Sequence, residues 1–361
     1  MPIAFRTRLA GLAAAGVLAA TAFAAPAAAD TIRLKIASGH NMNWHFIQIA
    51  HDWFVPELKK RVESRTKHKV EVLEGWASSI LKATEVLEGT QSGIVDLGYF
   101  CYCHEGGKLA LHNFPYYAPF ASPKPEVANK AARRVYDQIQ ALHDIMEKDN
   151  GQRVLALMPI DNYDLVTKFP LTKISEVKGK KFGGAGPNLP WIERAGGLPV
   201  SVTGPEFYTA FQTGLFEGGV IFVSIMDSLK LYPIAPYYVR VNFGAMTIFG
   251  MNVNLESLKR MPKEVQDILV ETAREMEVRG GPFTQEIYDK YMGIIAQNGA
   301  KIIDFPEEER KKWAELLAPW PNERATEIEK ETGAPMKATV KAMIKAAEDE
   351  GYVWPIKYKI D

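Results

Sequence analysis

Two cysteines in 361 residues are too few for a disulfide-built scaffold. A surplus of either charge sign is also missing, with 43 Lys+Arg against 43 Asp+Glu, so nothing points to nucleic acid or to an acidic tail. The seven histidines are scattered without metal-ligand spacing, and neither a metal site nor any cofactor is expected. There is no GxSxG, no HExxH and no phosphate loop. The segment "GGAGPN" (183–188) is read as lacking the helix start that a dinucleotide site needs. Internal repeats are missing too. Beyond the N-terminus, no stretch is apolar enough to span a bilayer.

What is present begins with "MPIAFRTRLAGLAAAGVLAATAFAAPAAAD". Arg6 and Arg8 precede an uncharged Ala/Leu/Val run that closes on Ala27, Ala28 and Ala29. This is the pattern of a secretory signal, so residues 1–29 are expected to be removed and the mature protein to be periplasmic. The chain length then suits two domains better than one core.

The cysteines, Cys101 and Cys103, sit in "YFCYCHEGG". An oxidising compartment invites a disulfide, but two residues apart on one strand it would be strained. "CxCH" also resembles half a metal site, without a second cluster to complete it. The reading favoured is a pair of buried strand cysteines.

Periodicity gives strand, helix, strand, helix, strand over "TIRLKIAS", "WHFIQIAHDWFVPELKKRVESRT", "HKVEVLEG", "LKATEVLEGTQSG" and "IVDLGYFCYC". That alternation predicts an α/β unit with a largely parallel sheet. A long amphipathic helix (125–151) and the strand "RVLALM" follow. A second unit opens with strands "DLVTKF" and "KKFGG". It continues with helix "EFYTAFQTGLFEG", apolar strand "GVIFVS" and return strand "TIFGMNVNLES". A helical region from Pro262 to about Asn298 carries an expected break at "RGGP" (279–282), and "AKIIDF" is the last strand. Two such lobes enclose a cleft at the carboxyl ends of their strands.

"EVKGKKFGGAGPN", "GPEFYTAFQTGLFEGGV", "SLKLYPIAPYY" and "NLESLKRMPKEVQDILVETAREME", in that order, resemble the solute-binding proteins of tripartite ATP-independent periplasmic (TRAP) transporters. "LKATEVLEGTQSGIVDLG" adds a match in the first unit. The resemblance implies a two-lobed periplasmic-binding-protein fold, with two mixed sheets flanked by helices and a long connecting helix. Lobe I would take residues 30–157 and about 247–262, and lobe II 158–246 and about 300–361. A helical segment at about 262–299 would span both.

The resemblance further implies a receptor that closes on a small organic solute and passes it to an integral-membrane permease. A monomer is the default. The alternatives are a sensory module of the same fold for a chemoreceptor or sensor kinase, and a secreted enzyme on this scaffold. In the family an arginine follows "KGKKI" and clamps a carboxylate; Gly183 holds its place here, Ile221 holds that of an asparagine, and Asn162 or Tyr163 that of a second basic residue. Either the glycines widen the cleft for a less charged or aromatic solute, or they relieve packing while another cation, Arg194 or Lys168, takes over. Candidate ligand residues on strand-end loops are His40, Asn43, Trp44, Trp76, Tyr99 and Tyr102 from lobe I. Asn162, Tyr163, Gly183, Asn188, Trp191 and Asp227 are the candidates from lobe II. Trp44 and Trp76 are expected in the pocket and Phe222 in the core.

Overall fold

The computed structural model describes residues 31–361, so the expected signal peptide lies outside the described residues. Strands β1 (Thr31–Ala37), β2 (Lys69–Gly75) and β3 (Leu97–Cys101) run parallel, with β1 in the middle. Their expected helices are in place. One helical run extends from His45–Ile49 through a wider turn at Ala50–Phe54 to Val55–Arg65, and the short helix Val86–Gln91 precedes β3.

Two strands are much longer than the sequence suggests. "RVLALM" and "DLVTKF" are parts of one strand, β4 (Gln152–Thr167). The return strand, β8 (Tyr237–Asn254), starts ten residues before the expected Thr247. The lobe boundaries expected at 157/158 and 246/247 therefore fall inside continuous strands. The antiparallel pairing of β4 with β8 runs from Gln152↔Asn254 to Thr167↔Tyr237, with register shifts at four points between Val154 and Leu165. One end of this ribbon carries β3, through Cys101↔Phe249. The other carries β7 (Gly218–Phe222), through Tyr163↔Phe222. Beyond β7 lie the parallel strands β5 (Lys181–Gly184) and β6 (Leu198–Ser201), while β9 (Lys301–Asp304) pairs with Tyr237–Arg240 of β8. The expected two sheets are thus joined into a single hydrogen-bonded order, β2-β1-β3-β8-β4-β7-β5-β6, with β9 beside β8. Register shifts bend and twist a ribbon locally, which suits β4–β8 to be the bridge between the halves.

The break expected at "RGGP" does not occur: Lys263–Gln297 is one helix with Pro282 inside it. The glycines serve close packing. A Cβ on Gly280 would lie 2.5 Å from the Met158 sulfur, and one on Gly281 would lie 2.7 Å from the Glu126 backbone. The helix therefore rests directly on β4 and on helix Pro125–Gln138. Midway along it, buried Glu277 takes Arg133 in a two-pronged ion pair at 2.7 and 2.5 Å and accepts the Leu157 amide at 2.8 Å, tying the helix to the bridging strand.

The long helix expected over 125–151 ends at Gln138, because Ile139 leaves helical geometry before Gln140–Asp144 resumes. The C-terminal helix Met336–Asp349 packs against Pro125–Gln138, where Ala131 meets Ala346 and Ala347. The tail expected in lobe II thus packs on a helix expected in lobe I.

Cys101 and Cys103 form a disulfide, contrary to the buried-thiol reading. Strand β3 stops at Cys101 and the chain tightens into a turn over Tyr102–His104. That brings the two Cα atoms to 5.1 Å, inside bridging range and well short of the roughly 6.6 Å of two extended residues.

Candidate functional site

Five strand ends converge on one cavity of about 60 Å³. From the first half come the loop after β1, with His40, Trp44 and Phe46, and the turn after β3, with the disulfide and His104. From the second half come Gly184 and Ala185 after β5, Val202 and Gly204 after β6, and Phe222 and Ile225 at and beyond the end of β7. Ile248 and Phe249 of β8 and Tyr163 of β4 supply the floor. β3, β7 and β8 are buried almost throughout, and strands buried on both faces carry apolar residues along their length, which gives the cavity its apolar wall.

The rings interlock. Phe46 and Phe249 have centroids 4.1 Å apart, His40 meets Phe249 edge-on at 5.0 Å, and Tyr163 meets Phe222 edge-on at 5.5 Å. Trp44 reaches across from the first half to the second: a Cβ on Gly204 would lie 2.4 Å from its Cη2. The Tyr163 hydroxyl is 3.0 Å from that of Tyr116.

No Lys, Arg, Asp or Glu lines the cavity among the described residues. Its titratable polar groups are His40, His104 and Tyr163. Burial, and then the nearby His104, hold His40 well below its ordinary value. Burial takes His104 down to about 4, opposed by Glu206. Both imidazoles are therefore neutral at pH 7. Beyond the cavity wall, burial pushes Asp161 up to about 7 and Asp164 up to about 8, although Asp161 accepts from Ser224 and Asp164 from Asn242, Tyr238 and Asn162.

Of the candidate residues, His40, Trp44 and Tyr163 line the cavity. The others do not. Asn43 is exposed. Trp76, expected in the pocket, donates its indole N–H to Glu74 at 2.9 Å instead. Tyr99 packs behind Phe249, and Tyr102 bonds Asn252 within the core. Asn162 is consumed by Asp164, Asn242 and Gly244. Trp191 stacks on Phe243 at 5.0 Å and donates to the Tyr116 carbonyl. Asp227 pairs with Lys230. Asn188 lies fully buried behind Gly184.

Gly183 faces away from the cavity. A Cβ there would meet the Phe216 ring at 2.6 Å, so the packing reading of this glycine holds and its neighbour Gly184 is the one that opens the wall. Neither suggested substitute cation reaches the cavity. Lys168 donates to the Phe211 carbonyl, and Arg194 pairs with Glu323 over Trp320. Phe222, expected in the core, lines the cavity because β7 ends there. A helix, Leu189–Glu193, does follow "GGAGPN", correcting that expectation; Pro190 suits its first turn. It has five residues.

Sequence reasoning missed Phe46, His104, Phe207, Phe249 and Gly204. His104 carried a signal, standing directly after the CxC pair. Phe249 carried none, since only the pairing of β8 with β3 brings it beside His40.

Residues 42–327 match the family described as bacterial extracellular solute-binding protein, family 7 (DctP). The C4-dicarboxylate-binding periplasmic protein DctP of Rhodobacter capsulatus is 23% identical over 296 residues, 78% of this chain and 84% of that one. The ectoine-binding periplasmic protein TeaA of Halomonas elongata is 21% identical over 87% of this chain and 93% of its own. Among solved structures, a TRAP solute-binding protein of Rhodoferax ferrireducens with copurified benzoate superposes with a TM-score of 0.78 at 14% identity, covering 89% of this chain and 98% of that one. One from Bordetella bronchiseptica with bound (R)- and (S)-mandelate gives 0.74 at 16% identity, over 88% and 99%. With its strand-end cavity between two halves of a bridged α/β sheet, the chain belongs to family 7 of the bacterial extracellular solute-binding proteins, the receptors of TRAP transporters.

Proposed function

We propose that this receptor captures a compact, largely apolar solute with a flat ring and at most one acidic group. The observation that carries the reading is the cavity wall, built of rings from both halves and free of charged side chains among the described residues. Flat rings stack on such walls. A carboxylate pair would stand there without a cation, at a cost of several kcal/mol. The benzoate and mandelate held by proteins of the same fold support this class.

The remaining assignments follow from that reading. Lobe I comprises residues 31–157 and about 247–262, lobe II 158–246 and about 300–335, and helix Met336–Asp349 straps the second to the first. Solute binding selects the closed arrangement through contacts made only on closure, such as Trp44 on Gly204. The closed monomer then docks on a membrane permease in the extracytoplasmic space and performs no chemistry on the solute.

Thermal unfolding with benzoate, mandelate, succinate and ectoine tests the solute class. At a hundredfold excess over Kd a true ligand adds about 2.7 kcal/mol to stability. Benzoate or mandelate should raise the midpoint and succinate should not. Tight succinate binding would overturn the reading.

A further inference from the structure

We propose that the paired imidazoles of His40 and His104, with the indole N–H of Trp44, anchor a single carboxyl group on the solute, and that the cavity takes up one proton with it. This rests on the cavity being the solute site, and it goes further by naming the anchor.

His40, from the loop after β1, and His104, from the turn after β3, have rings 5.7 Å apart and within 17° of parallel. Both line the cavity. The Trp44 ring lies 5.2 Å from His40, and its Nε1 is buried with no acceptor. A buried donor left unpaired costs about 1–3 kcal/mol, which an incoming oxygen relieves. The His104 and Trp44 rings thus both neighbour His40, in a wall whose other lining residues are mostly apolar.

The surrounding groups leave the task to this pair. Ser38 Oγ lies 3.3 Å from Nδ1 of His40, leaving Nε2 as the other ring nitrogen. From the second lobe, Glu206 is the carboxylate that acts on His104, and it is itself bonded to the Thr203 hydroxyl at 2.6 Å. The Tyr163 hydroxyl is engaged by Tyr116, and Tyr99 stands behind Phe249. No lysine or arginine lines the cavity among the described residues.

Burial keeps both imidazoles neutral, and the nearby His104 further discourages a charge on His40. A carboxylate within about 4–6 Å reverses that balance and favours an imidazolium. Two adjacent imidazoliums would repel, so one proton is taken, not two. The bookkeeping of atoms is simple. A free carboxylate and two neutral rings become either carboxylate with imidazolium or carboxylic acid with imidazole. One proton comes from water in both cases, and no covalent bond to carbon forms or breaks.

Calorimetry of the wild-type protein in buffers of different ionisation enthalpy counts the protons. Benzoate is the acid probe and benzamide its neutral counterpart of similar shape. Benzoate should bind with uptake of one proton, its Kd rising about tenfold per pH unit between about pH 5.5 and 7.5. Benzamide should bind without uptake and without that slope. His40→Gln or His104→Gln should weaken benzoate more than benzamide and flatten the pH dependence of benzoate, a slope that a merely structural role would not change. Benzoate binding without proton uptake in the wild type overturns this proposal and leaves the receptor reading standing. Failure of both probes to bind overturns the aromatic-solute reading together with it.

Discussion

Replacing Gly204 by alanine is the sharpest probe of closure. The added Cβ would lie 2.4 Å from Cη2, 3.0 Å from Cζ3 and 3.6 Å from Cζ2 of Trp44. Carbon atoms rest at about 3.5–4.0 Å, so the ring must retreat by roughly 1 Å. It has little room, because Trp44 is buried against His40 and Phe46, with centroids at 5.2 and 5.5 Å. Gly204 does not need a left-handed backbone, so alanine is tolerated locally and the strain is one of overpacking. Such overpacking costs about 1–3 kcal/mol. In the proposed closure this contact forms only when the lobes meet, so the cost should fall on the closed arrangement and not on the open one. Solute affinity should therefore drop by about 5–150-fold. Calorimetry with the solute that stabilises the wild type measures the drop, and urea unfolding without solute measures the fold. The expected result is a higher Kd at nearly unchanged stability. An unchanged Kd would show that Trp44 does not meet Gly204 in the liganded protein, and equal losses of both would make the contact merely structural.

Gly183→Ala should destabilise the protein by about 1–3 kcal/mol, because its methyl group enters the Phe216 ring, which is wedged against Phe207 and Phe211. Urea unfolding checks this, and a changed solute preference at unchanged stability would return Gly183 to the binding site. Stability should also depend on pH through Asp161 and Asp164. Their folded values, raised by burial to about 7 and about 8 from 3.8, mean that the native state holds protons that the unfolded chain releases. The stability present at low pH is thus lost as pH rises through the folded values. Below about pH 7.5 the neutral buried histidines His40, His45, His104 and His112, whose values are lowered, work in the opposite sense. Between about pH 7.5 and 8.5, where those histidines are deprotonated in both states, the carboxyls act alone among these groups, so unfolding free energy should fall there and Asp164→Asn should flatten the fall. A rise over that window in the wild type would contradict the assignment.

Local pattern determined a good deal of this protein. The alternation of "TIRLKIAS" and "HKVEVLEG", the apolar run of β3 and the ordered motifs from Glu176 to Glu277 were enough for an α/β fold in two lobes, for the cleft and for the receptor family. His40 and Trp44 reach the cavity wall because the loop after β1 places its residues by position alone, whereas Tyr163, read as lying after a strand, stands inside β4. Tertiary structure decided the rest. Periodicity describes one strand at a time, so it split β4 in two and cut β8 short, and the bridge between the lobes exists only through their mutual pairing. A glycine run looks the same whether it opens a pocket or receives a ring. Only the position of Phe216, thirty-three residues on, makes Gly183 a packing site and leaves the opening to Gly184. A tryptophan on a polar loop is likewise ambiguous until its neighbours are known: Glu74 draws Trp76 aside, while Gly204 of the other lobe receives Trp44. The histidine pair and Phe249 meet from three separate strands. Contacts of that kind arise from sheet order, which no local spacing encodes.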